Sequence, residues 1–261
     1  MSDRGGALVT GGARRIGRSV AAALGAAGWH VVVHYNHSST DAEETVAAIV
    51  AAGGRAEALA ADLADPSACA GLVEAAGGAT GGLTCLINNA SLFIEDTAHD
   101  VDGDVFDRVM AVNLRAPAIL SRAFAAQVPE EGDGVIVNIL DQKLVNPNPD
   151  FLSYTLSKHG LAALTEMTAV SFGPNVRVCA VAPGLTLPSG DQPRDQFEAV
   201  HGRTPLARGS RPEDIAGAVL YLADARAVTG ETILVDGGQH LVPSARDVMF
   251  LDPSPSKDSG E

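Results

Sequence analysis

Tyr154 and Lys158 occupy positions i and i+4 in Ser153-Tyr154-Thr155-Leu156-Ser157-Lys158. On a helix such residues share a face, so a phenol and an ammonium group can meet one ligand. Free tyrosine has a pKa of about 10 and is a poor proton donor or acceptor at neutral pH. A nearby positive charge favours the phenolate and lowers that pKa, toward the range where general acid–base catalysis works. Upstream, Asp141 closes the apolar run Val135-Ile136-Val137-Asn138-Ile139-Leu140 and adds a carboxyl group. An exposed helix also produces Tyr-x-x-x-Lys by chance, so the surrounding elements decide what this trio is.

Residues 8–17 read Leu8-Val9-Thr10-Gly11-Gly12-Ala13-Arg14-Arg15-Ile16-Gly17 and lead into an alanine-rich helix. A glycine turn lets the backbone approach a pyrophosphate, and the helix N-terminus offers unpaired N–H groups and a positive dipole end. An ordinary strand-to-helix turn is the plainer reading. The position near the N-terminus, with Gly17 at the helix start, favours a nucleotide.

Strand and helix alternate along the rest of the chain. Predicted strands fall at 7–9, 30–34, 55–60, 83–87, 135–140, 176–181 and 232–235. Predicted helices fall near 15–27, 40–52, 66–76, 104–127, 152–172 and 212–223. Largely apolar strands in βα units imply a parallel sheet covered on both faces. Right-handed crossovers then give an α/β fold, a Rossmann-type doubly wound parallel sheet of about seven strands. A single domain is expected over 1–240, then an extension over 241–251 and a disordered tail over 252–261. Val248-Met249-Phe250-Leu251 is apolar enough to dock on the body or on a neighbouring subunit, although a frayed apolar cluster reads the same.

These pieces together resemble the short-chain dehydrogenases/reductases over residues 5–240. The resemblance rests on Thr10-Gly11-x-x-x-x-Ile16-Gly17, Asp62-Leu63, Asn88-Asn89-Ala90, Asn113, Asp141, Tyr154/Lys158 and Pro183-Gly184, in the family's order and separations. The family usually has glycine where Arg15 stands and serine where Asp141 stands. Both departures resemble the pteridine reductases, as do Val33-His34-Tyr35-Asn36-His37-Ser38, Asn88-Asn89-Ala90-Ser91-Leu92-Phe93 and Pro183-Gly184-Leu185. Residues 186–203, which usually shape the substrate pocket, follow no such pattern.

The resemblance implies a nicotinamide dinucleotide held at Gly11, Ile16 and Gly17. It places Asp62 and Leu63 beside the adenine, and Asn89 and Ala90 where the ribose and nicotinamide pass. Pro183 and Gly184 would flank the nicotinamide, with Thr186 at its carboxamide and Lys158 at its ribose. Asn113 would hold a water next to Lys158. Plainer readings are a helix cap for Asp62, an Asx turn for Asn88 and Asn89, and a structural helix asparagine for Asn113.

The choice of cofactor follows from charge. NAD-binding folds often place an acid after the second strand to bind the ribose 2′-hydroxyl. Here His34-Tyr35-Asn36-His37-Ser38-Ser39-Thr40 contains none before Asp41. A 2′-phosphate needs cations and hydroxyl donors, which Arg14, His37, Ser38 and Ser39 supply, so NADPH is expected. Helix N-termini disfavour the cations Arg14 and Arg15 unless an anion sits there.

The cofactor would carry the hydride chemistry while the protein orients it and manages protons. Hydride transfer to a C=N carbon of a pterin ring leaves a ring nitrogen that must gain a proton. Tyr154 is the expected donor, with Lys158 lowering its pKa. A carboxylate at 141 would repel a developing oxyanion, whereas a carboxylic acid could donate to it or to a ring nitrogen. Asp141 therefore suits a nitrogen heterocycle better than a plain ketone, and could return a proton to Tyr154. A strand-end acid making a turn is the alternative. Phe93 resembles the stacking phenylalanine of the pteridine reductases, though a loop-anchoring phenylalanine reads alike. Arg15 and Ser91 would reach the pterin's polar edge or the cofactor phosphates.

Composition bounds the function. A chain of 261 residues, 46% hydrophobic, can bury a sizeable core as one domain. No apolar run reaches the ~18 residues that span a bilayer, and the N-terminus lacks a signal peptide's apolar stretch. Cys69, Cys85 and Cys179 are scattered in apolar contexts, which suggests buried thiols in a reducing compartment. A net charge of −14 argues against nucleic acid. A cytoplasmic enzyme is expected. His99, His159, His201 and His240 lack metal-ligand spacing, so no metal is expected. Trp29 is expected at the sheet edge. Family members are commonly tetramers, packed through helices near 104–127 and 152–172.

The leading expectation is therefore an NADPH-dependent, pteridine reductase-like enzyme. A carbonyl or 3-oxoacyl thioester reductase of the same family is the alternative. A dinucleotide-sensing protein without turnover is a third, disfavoured by Tyr154 and Lys158.

Overall fold

The computed structural model describes residues 4–188 and 194–250. The strands are β1 (Gly6–Val9), β2 (His30–Tyr35), β3 (Arg55–Ala60), β4 (Leu83–Asn88), β5 (Gly134–Ile139), β6 (Val176–Pro183) and β7 (Thr232–Val235). They form one sheet in the order β3-β2-β1-β4-β5-β6-β7, with every neighbouring pair parallel. The helices are α1 (Arg15–Ala26), α2 (Ser39–Ala51), α3 (Pro66–Thr80), α4 (Gly103–Met110), α5 (Ala116–Gln127), α6 (Leu152–Ser171), α7 (Arg194–His201) and α8 (Pro212–Asp224).

Successive strand side chains point to opposite faces, and in the central strands β1, β5 and β6 both faces are buried. Val9 and Val33 pack beneath Val20 and Leu24 of α1 and Ile215 and Val219 of α8. Leu8, Val32 and Ile136 pack on the other face with Leu72 of α3 and Leu120 and Phe124 of α5. Burial on both sides is why these strands read as unbroken apolar runs rather than alternating ones.

The topology also creates the site. The chain leaves β1 for β2 and β3 on one side, then crosses back to β4 on the other. Val9 thus pairs with both Val33 and Ile87. This reversal opens a crevice at the carboxyl ends of β1 and β4, where open α/β sheets bind ligands.

The structure differs from the sequence-based expectations in three places. The helix expected over 104–127 is two helices joined by one π turn, Ala111–Arg115. Pro117 has no N–H for the carbonyl four residues back, which favours a widened turn at this point. Helix α7 falls in the segment for which no element was expected. Trp29 is not at the sheet edge. It lies buried just before β2, and its Nε1 donates to Thr84 Oγ1 on the central strand β4 at 3.2 Å.

The three cysteines are free and buried. Burial pushes the Cys69 thiol up to about 11 and the Cys85 thiol to about 12. No described helix is long and apolar enough to cross a membrane. Residues 246–250 of the extension dock on their own chain. The tail expected over 252–261, and Leu251, lie outside the described residues.

Candidate active site

A cleft of about 540 Å³ opens at the crevice between β1 and β4. Its floor is a glycine cradle. Gly11 has φ +60°, a conformation that side chains rarely adopt. A Cβ on Gly17 would lie 2.1 Å from the Gly11 carbonyl oxygen and 2.6 Å from Asn89 Nδ2. Both positions therefore need glycine, Gly11 for its backbone angle and Gly17 because the Gly11 carbonyl and Asn89 fill the place of a side chain. The tight turn they make leads into the α1 N-terminus, where a pyrophosphate would bind. Gly17→Ala is expected to weaken NADPH binding by at least about tenfold, because backbone must move to admit one methyl group. Fluorescence titration checks this, and unchanged affinity would contradict the cradle assignment.

Two residues that stand in the sequence motifs without a role of their own build this cradle. Thr10 Oγ1 accepts from the backbone N–H groups of Asn89 and Ala90 at 2.9 and 3.0 Å. His34 Nδ1 accepts from Gly11 N at 3.0 Å, while its Nε2 lies 3.1 Å from the Ala61 carbonyl. That network places the imidazole proton on Nε2, and burial lowers the ring's pKa, keeping it neutral. Asn89 Nδ2 donates to Thr10 O at 2.8 Å and Gly11 O at 3.2 Å. The amide that was expected to face a ribose thus also ties β4 to the glycine turn.

Arg15 explains why glycine is usual at its position. Its φ is +52°, which costs a non-glycine residue roughly 1–2 kcal/mol. Its guanidinium reaches across the cleft and donates to the Pro188 carbonyl at 2.8 Å. Arg14 and Ile16 also line the cleft. Arg14 is not left for a phosphate alone: its Nε donates to Asp41 Oδ2 at 2.6 Å, and this hydrogen bond lowers the Asp41 pKa. Asp41, the first acid after β2, thus folds back onto the arginine. His37, Ser38 and Ser39 lie at the β2–α2 junction and do not line the cleft, whereas His34 and Asn36 do.

Asp62, Leu63, Asn89, Ala90, Ser91, Pro183, Gly184 and Thr186 all line the cleft. Asp62 does not cap α3. Asp65 does, accepting from Ser67 N at 2.8 Å, while Asp62 accepts from Ala64 N at 2.9 Å in a tight turn. A Cβ on Gly184 would lie 2.6 Å from that of Asp236. Thr186 is buried, and its hydroxyl bonds to Gly184 O and Ser210 Oγ.

The structure brings Asp141, Tyr154 and Lys158 together. Asp141 ends β5, and α6 carries Tyr154 and Lys158. Tyr154 OH donates to Asp141 Oδ2 at 2.8 Å. Lys158 Nζ is buried and donates to the Ile139 carbonyl at 2.7 Å. Asp96 holds the start of α6, accepting from Ser153 N at 3.1 Å and bonding its hydroxyl. Asn113 sits in the π turn beneath. Its amide donates to Leu92 O at 2.9 Å and to Ser157 Oγ at 3.1 Å, and its carbonyl accepts from Leu92 N at 2.8 Å. These contacts fix the loop after β4 and the residue next to Lys158.

The electrostatics correct one expectation. Burial pushes the Tyr154 phenol well above its ordinary pKa, and the Asp141 charge and hydrogen bond push it further. The charge of Lys158, one helix turn away, does not outweigh these effects. Burial lowers Lys158 itself to about 8, opposed by Asp141. Burial also raises the Asp141 carboxyl, opposed by the hydrogen bonds from Lys143 N and Tyr154 and by the two lysines. Tyr154 is thus an acid that keeps its proton at neutral pH, hydrogen-bonded to a carboxyl held above its usual range.

Phe93 lines the cleft, 4.7 Å edge-on from Tyr154 and stacked 4.0 Å from Phe151. Phe250 of the extension stacks on Phe151 at 5.9 Å. Asp247, Val248 and Met249 line the same cleft, as do Lys143 and Arg108. The apolar Val248-Met249-Phe250 was the one sequence signal for the extension. Nothing local marked Lys143 or Asp247, because their pairing spans the chain. Among the described residues, no group of three His, Cys, Asp or Glu could hold a metal ion.

A family model described as enoyl-(acyl carrier protein) reductase matches residues 11–240. The solved structure of FolM alternative dihydrofolate reductase 1 from Brucella canis, complexed with NADP, superposes with a TM-score of 0.89. It is 40% identical, over 95% of this chain and 98% of that one. A ketoacyl reductase of the granaticin polyketide synthase from Streptomyces violaceoruber is 36% identical over 90% of this chain and 96% of that protein. The 3-oxoacyl-[acyl-carrier-protein] reductase of Synechocystis is 33% identical over 89% and 95% respectively. The chain belongs to the short-chain dehydrogenase/reductase family of oxidoreductases.

Proposed function

We propose that this protein is an NADPH-dependent reductase of pterin or dihydropterin rings. The observation that carries this reading is the 2.8 Å hydrogen bond from Tyr154 to Asp141, with Lys158 on the next turn of the same helix. NADPH, when bound, supplies the hydride. Gly11 and Gly17 would hold its pyrophosphate, Asp62 and Leu63 its adenine, and Asn89, Ala90, Lys158, Pro183, Gly184 and Thr186 its nicotinamide end. Arg14, shared with Asp41, would meet the 2′-phosphate. The 40% identity to a dihydrofolate reductase complexed with NADP supports both cofactor and substrate class.

Tyr154 is protonated at neutral pH and donates to the ring nitrogen as charge develops there. Asp141, held above its ordinary pKa, can carry a proton and return it to Tyr154. Phe93, exposed in the cleft, presents flat apolar surface to a planar ring, and Arg15 and Ser91 line the same cleft. Lys158 is charged only below about 8. Its charge favours transfer of the Tyr154 proton, so activity is expected to be full below that pH and to fall as pH rises through it. A pH–rate profile with no loss until the tyrosine range would contradict this role.

The ketoacyl reductases among the relatives favour a second reading, reduction of a 3-oxoacyl thioester. Asp141 weighs against it, because once the carboxyl has given up its proton it repels a developing oxyanion. In either reading the enzyme is a homotetramer packed through α4–α5 and α6, where Leu156, Met167 and Val170 stand exposed. Light scattering at the mass of four chains is the expected result, and a monomer would contradict it.

A further inference from the structure

Lys143 is buried, and its ammonium group meets Asp247 Oδ2 at 2.8 Å, Asn148 Oδ1 at 2.8 Å and the Asp150 carbonyl at 3.3 Å. Asp247 is buried too, and it belongs to the C-terminal extension. A buried ion pair is costly to build, since each charge gives up its hydration. Here the pair spans the chain from the turn after β5 to its last described residues.

The surrounding contacts show what the pair fastens. Asp150 Oδ2 accepts from Asp247 N at 2.7 Å and from Arg246 Nε at 2.8 Å. Asp247 Oδ1 accepts from Met249 N at 3.0 Å, and Phe250 stacks on Phe151. Phe151 has φ +58°, directly before α6, and stacks on Phe93. On the other side, the Lys143 backbone N–H donates to Asp141 Oδ1 at 2.8 Å. That bond occupies one carboxyl oxygen of Asp141 and presents the other to Tyr154.

We propose that the C-terminal strap is part of the active site, and that Lys143 and Asp247 are positioning residues. Their buried pair holds the turn Gln142–Leu144, and with it the Asp141 carboxyl, against Tyr154. The strap also closes the substrate end of the cleft with Val248 and Met249. The charged and titratable groups that face Asp141 are then Tyr154 and Lys158 from α6, Lys143 from its own turn, and Asp247 from the strap through Lys143. The inference rests on the proposed proton roles of Asp141 and Tyr154, whichever substrate they serve.

The test compares Asp247→Asn, Lys143→Met and the double variant Lys143→Met/Asp247→Leu with Asp141→Asn. The substrate is dihydrobiopterin, or acetoacetyl-coenzyme A if that is the compound reduced. Each strap variant is expected to lower kcat about ten- to a hundredfold, the scale of a misplaced catalytic group. NADPH affinity is expected to stay within about twofold, and the pH profile of kcat to shift in the direction seen with Asp141→Asn. The double variant leaves no unpaired buried charge, so it keeps the fold while losing the activity. Wild-type kcat and pH profile in Asp247→Asn or the double variant, beside an impaired Asp141→Asn, would overturn the strap's role alone. A normal Asp141→Asn would overturn the proton roles on which it rests.

Discussion

Tyr154→Phe is expected to lower kcat by roughly 10²–10⁴-fold, the usual contribution of a positioned general acid. NADPH affinity should be nearly unchanged, because phenylalanine keeps the ring that packs against Phe93 and loses only the hydroxyl. That hydroxyl is the group that meets Asp141 at 2.8 Å. Its removal leaves the Asp141 carboxyl with the Lys143 N–H and no donor from α6. Stopped-flow measurement of hydride transfer, beside equilibrium titration with NADPH, separates the two effects. A variant that transfers hydride at the wild-type rate would show that Tyr154 is a packing residue and that the proton comes from elsewhere.

Asp141→Ser should have the second largest effect, and one whose direction depends on substrate. With a pterin, loss of the carboxyl is expected to cost about 10²-fold in kcat, because the ring nitrogen then receives a proton from Tyr154 without a neighbour to replenish it. With a 3-oxoacyl thioester, turnover is expected to rise, because a hydroxyl donates to a carbonyl oxygen where a carboxylate repels it. Parallel assays on both substrates check this. Equal losses on both would mean that Asp141 acts through the structure of the turn rather than through its charge.

The parts of this site that were legible in the sequence are local. Gly11 and Gly17 stand out because a close backbone approach admits no other residue. Tyr154 and Lys158 stand out because one helix turn brings them together. The centre of the sheet was legible because strands buried on both faces leave unbroken apolar runs. What stayed hidden depends on distant pairings. Asp41 was set aside as too late in the loop, yet the first turn of α2 aims it at Arg14. His34 reads as the end of the second strand, and nothing local shows that it accepts the Gly11 N–H. Lys143 and Asp247 carry no shared pattern, and only the folded chain joins them.

The direction of the Tyr154 shift is a further lesson of this kind. A lysine at i+4 suggests a lowered phenol pKa, but spacing reports neither burial nor the carboxyl across the cleft. In the folded protein those two effects are the larger, and both raise it. In the proposed reaction the trio would serve as a stored proton rather than as a ready phenolate. That suits reduction, in which the protein must deliver a proton after the hydride has moved.

The most direct test of the central claim is NADPH oxidation with dihydrobiopterin, dihydromonapterin and dihydrofolate, measured beside a β-ketoacyl thioester. Turnover of at least one pterin, lost in Tyr154→Phe and impaired in Asp141→Ser, is the predicted result. Turnover of the thioester alone would contradict it and make this protein a carbonyl reductase.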